Sequence, residues 1–367
     1  MADTVTLFLA GDVMTGRGVD QILPHPGGPK LREPYVRDAR DYVALAEAEN
    51  GVFPKPVGFA WPWGVALSVL EKAAPDVRIV NLETSVTTSR DYAPGKGIHY
   101  RMHPQNIGVL TAARIDVCGL ANNHVLDFGI RGLEETVDVL TAAELQPVGA
   151  GRDDAQAWRP AAVQAGAVRL LVWSVGSVSS GIASSAGATA SHPGVALLPD
   201  LSAKTADHVL ERIDAVRGPA DLVVVSVHWG SNWGYAVPDE QVRFAHYLVD
   251  GGVDMVHGHS SHHPRPLEIY RDRPVLYGCG DLINDYEGIR GYEQFRDDLR
   301  LLYLPVFASG SRGLCGMRMV PVRARRMRLE RASAADACWL RDVLTKSSRP
   351  FGTRVGASEG DGVWLES

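Results

Sequence analysis

The chain has 367 residues and a formal net charge of −6 at pH 7, with 45% hydrophobic and 22% charged residues. This composition is ordinary for a folded globular protein, and it gives no electrostatic case for nucleic-acid binding, which normally shows as a high pI or a basic patch. No segment is long and apolar enough to cross a bilayer, which takes about 20 residues. The four cysteines form no CxxC pair. We therefore expect reduced thiols and a cytoplasmic protein without membrane insertion.

Short β-branched apolar runs, each ending in a polar cluster, recur along the chain. They cover residues 5–10, 77–80, 117–121, 222–227, 253–256 and 274–277. Runs that are apolar on both faces and flanked by glycine are typical of buried strands. Helical patterns lie between them at residues 64–74, 132–144, 201–216 and 239–250. The alternation predicts an α/β fold, in which active sites gather at the carboxyl ends of the strands.

Two segments lack a clear period. Residues 16–62 are rich in proline and glycine, and residues 174–193 are rich in glycine, serine and alanine. We expect the first to form a lid or substrate-facing loop and the second a flexible wall, because long irregular loops are usually functional. A basic hairpin, a helix near residues 335–345 and a polar tail follow. We predict one domain over residues 1–310 and an extension over residues 311–367 that packs on it.

Acids and histidines stand where the predicted strands end. Asp12, Glu83, His124 and His228 each follow such a run, and four histidines crowd residues 257–263. Taken singly, Asp12 also fits a turn and His124 a capped core histidine. Taken together, carboxylates and imidazoles without thiolates suit a centre of one or two divalent ions, Mn, Fe or Zn, rather than a structural cysteine site. In a two-metal centre one carboxylate bridges ions about 3.5–4 Å apart.

The motifs resemble those of the poly-gamma-glutamate capsule biosynthesis (CapA-like) family, a branch of the calcineurin-like metallophosphoesterases. The matching pieces are GDVMTGR at residues 11–17, NLE at 81–83, ANNHVLDFG at 121–129, HWG at 228–230 and GHSSH at 258–262. The resemblance covers about residues 5–286 in the family's order. It implies a four-layer αββα sandwich, with two mixed β-sheets flanked by helices.

The resemblance also implies a role for each matching residue. The metal ligands would be Asp12, Glu83, Asn123, His228, His259 and His262. Glu83 would lie between the two metals. His124 would protonate the leaving group and would be oriented by Asp127. Asp281, Asn284 and Asp285 would support the histidines from outside the ligand shell.

Three residues are expected to contact the substrate, and one position departs from the pattern of many phosphoesterases. Arg17 is a candidate for holding an anionic group, because a guanidinium offers a bidentate fork; an ordinary surface arginine is the alternative. Asn122 and Trp229 are expected to contact the substrate as well. Met14 stands where many phosphoesterases have a histidine ligand, so one metal would be weakly held or absent.

Three functions remain open at this point. The first is a metal-dependent hydrolase in which a metal-activated hydroxide attacks a phosphoester or similar anionic substrate. The second is an amide-bond enzyme acting on gamma-glutamyl chains, polyglutamate or a related natural product. The third is a non-catalytic accessory subunit of a poly-gamma-glutamate synthesis system. The expected partner is an anionic small molecule or polyglutamate-like substrate, and the sequence does not indicate the oligomeric state.

Overall fold

Two mixed β-sheets form the centre of the computed structural model, which describes residues 4–357 and 363–366. The strands are β1 (Thr4–Val13), β2 (Val77–Leu82), β3 (Ser85–Val86), β4 (Arg101–Met102), β5 (Val117–Gly119), β6 (Gln146–Val148), β7 (Ala150–Gly151), β8 (Ala161–Ala165), β9 (Val168–Ser177), β10 (Gly194–Val195), β11 (Leu197–Leu198), β12 (Leu222–His228), β13 (Met255–His259), β14 (Leu267–Tyr270), β15 (Arg273–Leu276), β16 (Asp281–Ile283), β17 (Leu299–Ala308), β18 (Leu314–Ala324), β19 (Leu329–Arg331), β20 (Arg354–Ala357) and β21 (Val363–Glu366). The helices are α1 (Gly18–Ile22), α2 (Arg40–Asn50), α3 (Val65–Ala73), α4 (Gly108–Thr111), α5 (Gly129–Ala142), α6 (Asp154–Ala157), α7 (Ala203–Asp214), α8 (Asp239–Asp250) and α9 (Ala334–Ser348).

The first sheet has the order β20-β21-β18-β17-β1-β2-β5-β6, with β16 also beside β1 and β19 beside β18. In it β1, β2, β5 and β6 run parallel, while β17 is antiparallel to β1. The second sheet has the order β11-β9-β12-β13-β15-β14, with β8 beside β9. Its central strands β9, β12, β13 and β15 are parallel. Each sheet therefore has a group of parallel strands that end at a common edge.

Alternating side chains assign the strands to layers. On β1, Leu9 belongs to the apolar cluster between the two sheets, whereas Phe8 belongs to the cluster that includes residues of α3 and α5. On β12, Val224 faces the space between the sheets and Val225 packs with residues of α7 and α8. Successive strand residues point to opposite faces of a sheet. One apolar cluster therefore lies between the two sheets, and one lies between each sheet and the helices on its outer face. The expected four-layer αββα sandwich is confirmed.

The apolar runs predicted as strands all lie in or overlap observed strands, and the helix predicted over residues 239–250 has those limits. The segment 16–62 is more regular than expected. It contains α1 and α2, and α2 buries Tyr42, Val43 and Ala46. These positions follow the helical spacing of a single apolar face, but polar residues on the rest of the helix obscure it.

Two further expectations are affected by the observed strands. The segment 174–193 begins inside β9, so its first residues form part of the sheet rather than a flexible wall. Strands β17 and β18 pair along most of their lengths across the boundary proposed at residue 310. The division into a domain and an extension stays a prediction. Among the described residues, no helix has the length and apolar character needed to cross a membrane.

Candidate metal centre

The site lies where the parallel strands of both sheets end. Asp12 on β1 stands opposite Asn81 on β2, and His228 on β12 stands opposite His259 on β13. All four side chains are buried. Because parallel strands end at the same edge, residues distant in sequence become neighbours. The first sheet supplies carboxylates, and the second sheet supplies imidazoles.

Two groups of side chains have ligand atoms close enough to hold a cation, and they share Asp12. One is Asp12, His228 and His259, and the other is Asp12, His262 and Asp281; within each group the ligand atoms lie within 4.8 Å of one another. The His228 and His259 Nδ1 atoms are 2.9 Å apart. His262 Nδ1 lies 3.0 Å from Asp281 Oδ1. Adjacent ligands on one ion have such separations when the metal–ligand bonds are about 2.1 Å long.

Glu83 and Asn123 adjoin the first group. Glu83 Oε1 lies 3.9 Å from His228 Nε2, and Asn123 Oδ1 lies 3.1 Å from the same nitrogen. The Asn81 amide donates to Asp12 Oδ1 at 2.7 Å and to Glu83 Oε2 at 3.2 Å, which holds the two acids side by side. All six residues predicted as ligands therefore lie in one cluster. Their coordination of a metal stays a prediction.

The acids of this cluster carry an electrostatic cost. Burial and the neighbouring Asp281 raise the pKa of Asp12 to about 7. Burial and Asp12 raise the pKa of Glu83 well above its usual range. Asp12 Oδ2 has no hydrogen-bond partner among the described residues. A divalent cation would favour the charged form of both acids and occupy the free lone pairs, so this donor set fits a metal.

The imidazoles behave differently. Burial lowers the pKa of His228 and of His259 well below the usual range, so both rings are neutral and offer a lone pair. Burial also acts to lower the pKa of His262, but the charge and hydrogen bond of Asp281, together with Asp12, raise it overall. His228 and His259 thus present neutral nitrogen donors to the acids across the site.

His124 and Asp127 form a hydrogen-bonded pair at the edge of the cluster. His124 Nδ1 lies 2.7 Å from Asp127 Oδ2, which also accepts the Tyr100 N–H at 2.6 Å. Lys96 donates to Asp127 and to the Asn123 carbonyl. Burial lowers the pKa of His124 to about 4. Lys96 was not among the predicted site residues, because no periodic pattern or motif marks its loop.

Arg17 lies in a different environment from the one expected. Its guanidinium donates to Asp285 through Nε and Nη2, and to Glu33 and Tyr42 through Nη1. The side chain is only 2% exposed. The guanidinium forms a buried ion-pair network that anchors α1 beside the site. Its contact with an anionic substrate stays a prediction.

The other two residues predicted to contact the substrate, Trp229 and Asn122, also have internal partners. Trp229 is fully buried in the second sheet's outer core, and its indole N–H donates to the Tyr277 carbonyl at 3.0 Å. The Asn122 amide donates to Asn81 Oδ1 at 3.0 Å, and its Oδ1 accepts the His124 N–H at 3.0 Å. These internal bonds use the polar groups that a substrate would need. Contact of either residue with a substrate stays a prediction.

Asp281 lies closer to the candidate ligands than expected. It was expected to support the histidines from outside, yet it stands opposite Asp12 in the β1–β16 pairing and belongs to the second ligand group. Its Oδ2 accepts the Asn284 amide at 2.6 Å. The sequence does carry a signal for Asp281. Gly280-Asp281 follows the apolar run at residues 274–277 much as Gly11-Asp12 follows the run at residues 5–10.

Comparisons with known proteins identify relatives of this chain. A relative from Mycobacterium tuberculosis, named a probable polyglutamine synthesis accessory protein, is 55% identical over 355 residues, covering 96% of this chain and 93% of the relative. The PGA biosynthesis protein CapA of Bacillus subtilis is 26% identical over 307 residues, covering 82% and 68%. A crystal structure described as a novel phosphatase, from Mycoplasma pneumoniae, aligns with a TM-score of 0.46 at 12% identity, covering 88% of this chain and 95% of that one.

The family comparison covers most of the described chain. Residues 6–286 match the model of the bacterial capsule synthesis protein family PGA_cap, a span that contains every candidate ligand and the His124–Asp127 pair. The chain belongs to the PGA_cap family of bacterial capsule synthesis proteins.

Proposed function

We propose that this chain is a metal-dependent hydrolase acting on a phosphoester or a similar anionic substrate. The observation that carries the proposal is the buried Asp12 carboxylate, which lies in both ligand groups and has an Oδ2 without a hydrogen-bond partner among the described residues. A buried carboxylate oxygen without a hydrogen-bond partner is costly. A divalent cation is the partner that the surrounding imidazoles and carboxylates would also bind.

The residues that would hold the ions follow from the two groups. Asp12, His228 and His259 would hold one ion, with Glu83 and Asn123 within reach of it. Asp12, His262 and Asp281 would hold the other. Asp281 adds a hard oxygen ligand beside Asp12 and His262, and this supports two sites rather than one although Met14 has only a thioether. Such ions, Mn, Fe or Zn, lower the pKa of water and stabilise charge on substrate oxygens.

His124 would deliver the proton that the leaving group needs. Asp127 holds its Nδ1, and its Nε2 points toward the ligands, 3.6 Å from Glu83 Oε1. Its pKa of about 4 is that of the ring without substrate. An anionic group bound beside it would raise the pKa and favour the protonated ring. Lys96, bonded to Asp127, adds positive charge next to the pair and would favour an anionic substrate.

The name of the mycobacterial relative supports two other candidates. A role in polyglutamine synthesis, as that name states, fits an enzyme that acts on gamma-glutamyl amides, which are also anionic. It fits equally a non-catalytic accessory subunit that binds polyglutamate. The His124–Asp127 pair beside the ligand cluster favours an enzyme, because a binding module needs no acid there.

One series of assays separates the three candidates. The purified protein is analysed for bound metal and assayed on p-nitrophenyl phosphate and on gamma-glutamyl peptides, before and after EDTA. We expect phosphate-ester hydrolysis that EDTA abolishes and Mn²⁺ or Zn²⁺ restores. Asp12→Asn should lose both metal and activity, whereas Asp20→Asn, a buried acid outside the site, should keep both. Full activity after chelation would overturn the proposal, and inactivity of the metal-loaded protein on both substrates would favour the accessory role.

A further inference from the structure

A row of buried hydrogen bonds runs from the backbone of β1 to His259. The Ala10 carbonyl oxygen lies 3.0 Å from His257 Nε2. His257 Nδ1 lies 3.1 Å from Ser226 Oγ, which lies 2.9 Å from His259 Nε2. The other ring nitrogen of His259, Nδ1, lies 3.7 Å from Asp12 Oδ1. None of these side chains is more than 1% exposed.

The direction of each hydrogen bond follows from its first member. A carbonyl oxygen only accepts, so His257 Nε2 must carry a proton. His257 is fully buried and pairs with no carboxylate in the described part of the chain, so the ring is neutral and its Nδ1 is an acceptor. The single Ser226 hydroxyl proton is therefore donated to His257. Toward His259 the Ser226 oxygen accepts, which places the His259 proton on Nε2.

We propose that Ser226 and His257 are positioning residues that fix the tautomer of His259, so that its Nδ1 lone pair faces the metal site. This inference rests on the proposed metal-dependent function. The opposite tautomer would direct an N–H at the ion and could not bind it. Hydrogen bonds from outside the ligand shell commonly orient a metal-binding histidine in this way.

The neighbouring strand shows that the arrangement is specific to Ser226. Ser174 on β9 stands opposite Ser226 in the sheet and is similarly buried. Its hydroxyl oxygen accepts the Ala121 N–H at 3.3 Å, and within the described residues it has no hydrogen bond to a histidine. A buried serine in this row does not by itself orient a ligand. The position of Ser226 between two histidines is what gives it that role.

The tautomer can be measured without any metal. In the metal-free protein labelled with ¹⁵N-histidine, long-range ¹H–¹⁵N spectra assign the protonated nitrogen of each ring, and His257→Leu identifies the His257 signals. We expect both His257 and His259 to carry the proton on Nε2. A proton on Nδ1 of His259 in the parent protein would overturn the proposal. This result is decisive for the tautomer even if the protein proves to bind no metal, which would overturn the proposed function alone.

The contribution to metal binding is tested with matched variants. Ser226→Ala and His257→Leu should weaken Zn²⁺ or Mn²⁺ binding about 10- to 100-fold, as is typical when an outer-shell partner is removed. His257→Asn keeps an acceptor for the Ser226 hydroxyl and should bind more tightly than His257→Leu. Ser348→Ala removes a buried serine hydroxyl that bonds Leu267 N, and it should bind like the parent. Parent-like binding by Ser226→Ala or by His257→Leu, with an unchanged unfolding transition, would contradict the proposal.

Discussion

The two sheets contribute unlike halves to one site. On the second sheet, His228 and His259 are neutral, and both nitrogens of each ring lie within 3.1 Å of a polar atom. On the first sheet, Asp12 and Glu83 lie together with raised pKa values, and Asp12 Oδ2 has no described partner. The imidazole half is stable as it stands. The acids are costly to ionise in this buried place without a cation. We therefore expect them to contribute most of the free energy of metal binding.

The largest expected effect concerns His124, which lies at the edge of the cluster. His124→Ala should lower the hydrolysis of an alkyl phosphate by about 10²- to 10⁴-fold, because general-acid catalysis contributes that much. The loss should be smaller for p-nitrophenyl phosphate, whose leaving group needs little protonation. Metal content should not change. Rates on both esters and metal analysis check this, with His246→Gln, which breaks the partly buried His246–Glu268 pair, as the control.

For this variant, equal losses on the two esters would contradict the acid role. Loss of the bound metal would instead show that His124 belongs to the ligand set.

The next effect concerns Arg17, whose ion pairs with Asp285 and Glu33 anchor α1 beside the site. Arg17→Gln leaves Asp285 and Glu33 buried without their cation, so the free energy of unfolding should fall by about 3–5 kcal/mol. The KM for an anionic substrate should change little. Urea unfolding and steady-state kinetics measure the two quantities. Arg40→Gln, which breaks the exposed pair with Asp38, should cost less than about 1 kcal/mol.

A substrate role for Arg17 would give the reverse pattern. The KM would rise and the unfolding free energy would stay the same.

The smallest expected effect is the pH dependence of metal affinity, which distinguishes the acids from the imidazoles. Metal binding must displace protons from the acids, and the pKa of Asp12 in the metal-free chain is about 7. Affinity should therefore rise by about tenfold per pH unit and per displaced proton up to pH 7, and less steeply above it, where Asp12 is already ionised. The raised pKa of His262 acts in the same direction. The low pKa values of His228 and His259 contribute nothing in this range.

Competition with a chelator from pH 5.5 to pH 8.5 measures this dependence. An affinity that is flat over that range would mean that the acids are already ionised without metal.

The sequence predicted the convergence of the site better than its supporting contacts. Asp12, Glu83, His228 and His259 could be placed because each follows an apolar run, and parallel strands end at one edge. The amphipathic pattern also gave α8 its limits. Such signals are local, which is why they are visible without a structure.

The supporting contacts depend on partners far along the chain. Arg17 bonds Asp285, which lies 268 residues away, and no local pattern announces that pair. Trp229 follows a candidate ligand, yet it continues the alternation of β12. Its ring therefore packs in the outer core with Val225 and Val227. Lys96 lies on an irregular loop, and only the fold brings it to Asp127. Contacts that depend on such tertiary partners are therefore the ones that the sequence did not indicate.

The most direct test of the account is anomalous diffraction from crystals of the protein grown with Mn²⁺ or Zn²⁺. We predict one ion bonded to Asp12, His228 and His259 Nδ1, and a second bonded to Asp12, His262 and Asp281. A well-ordered Asp12 with no ion beside it at saturating metal, or ions bound only elsewhere, would contradict the claim that the two sheets jointly form a metal centre.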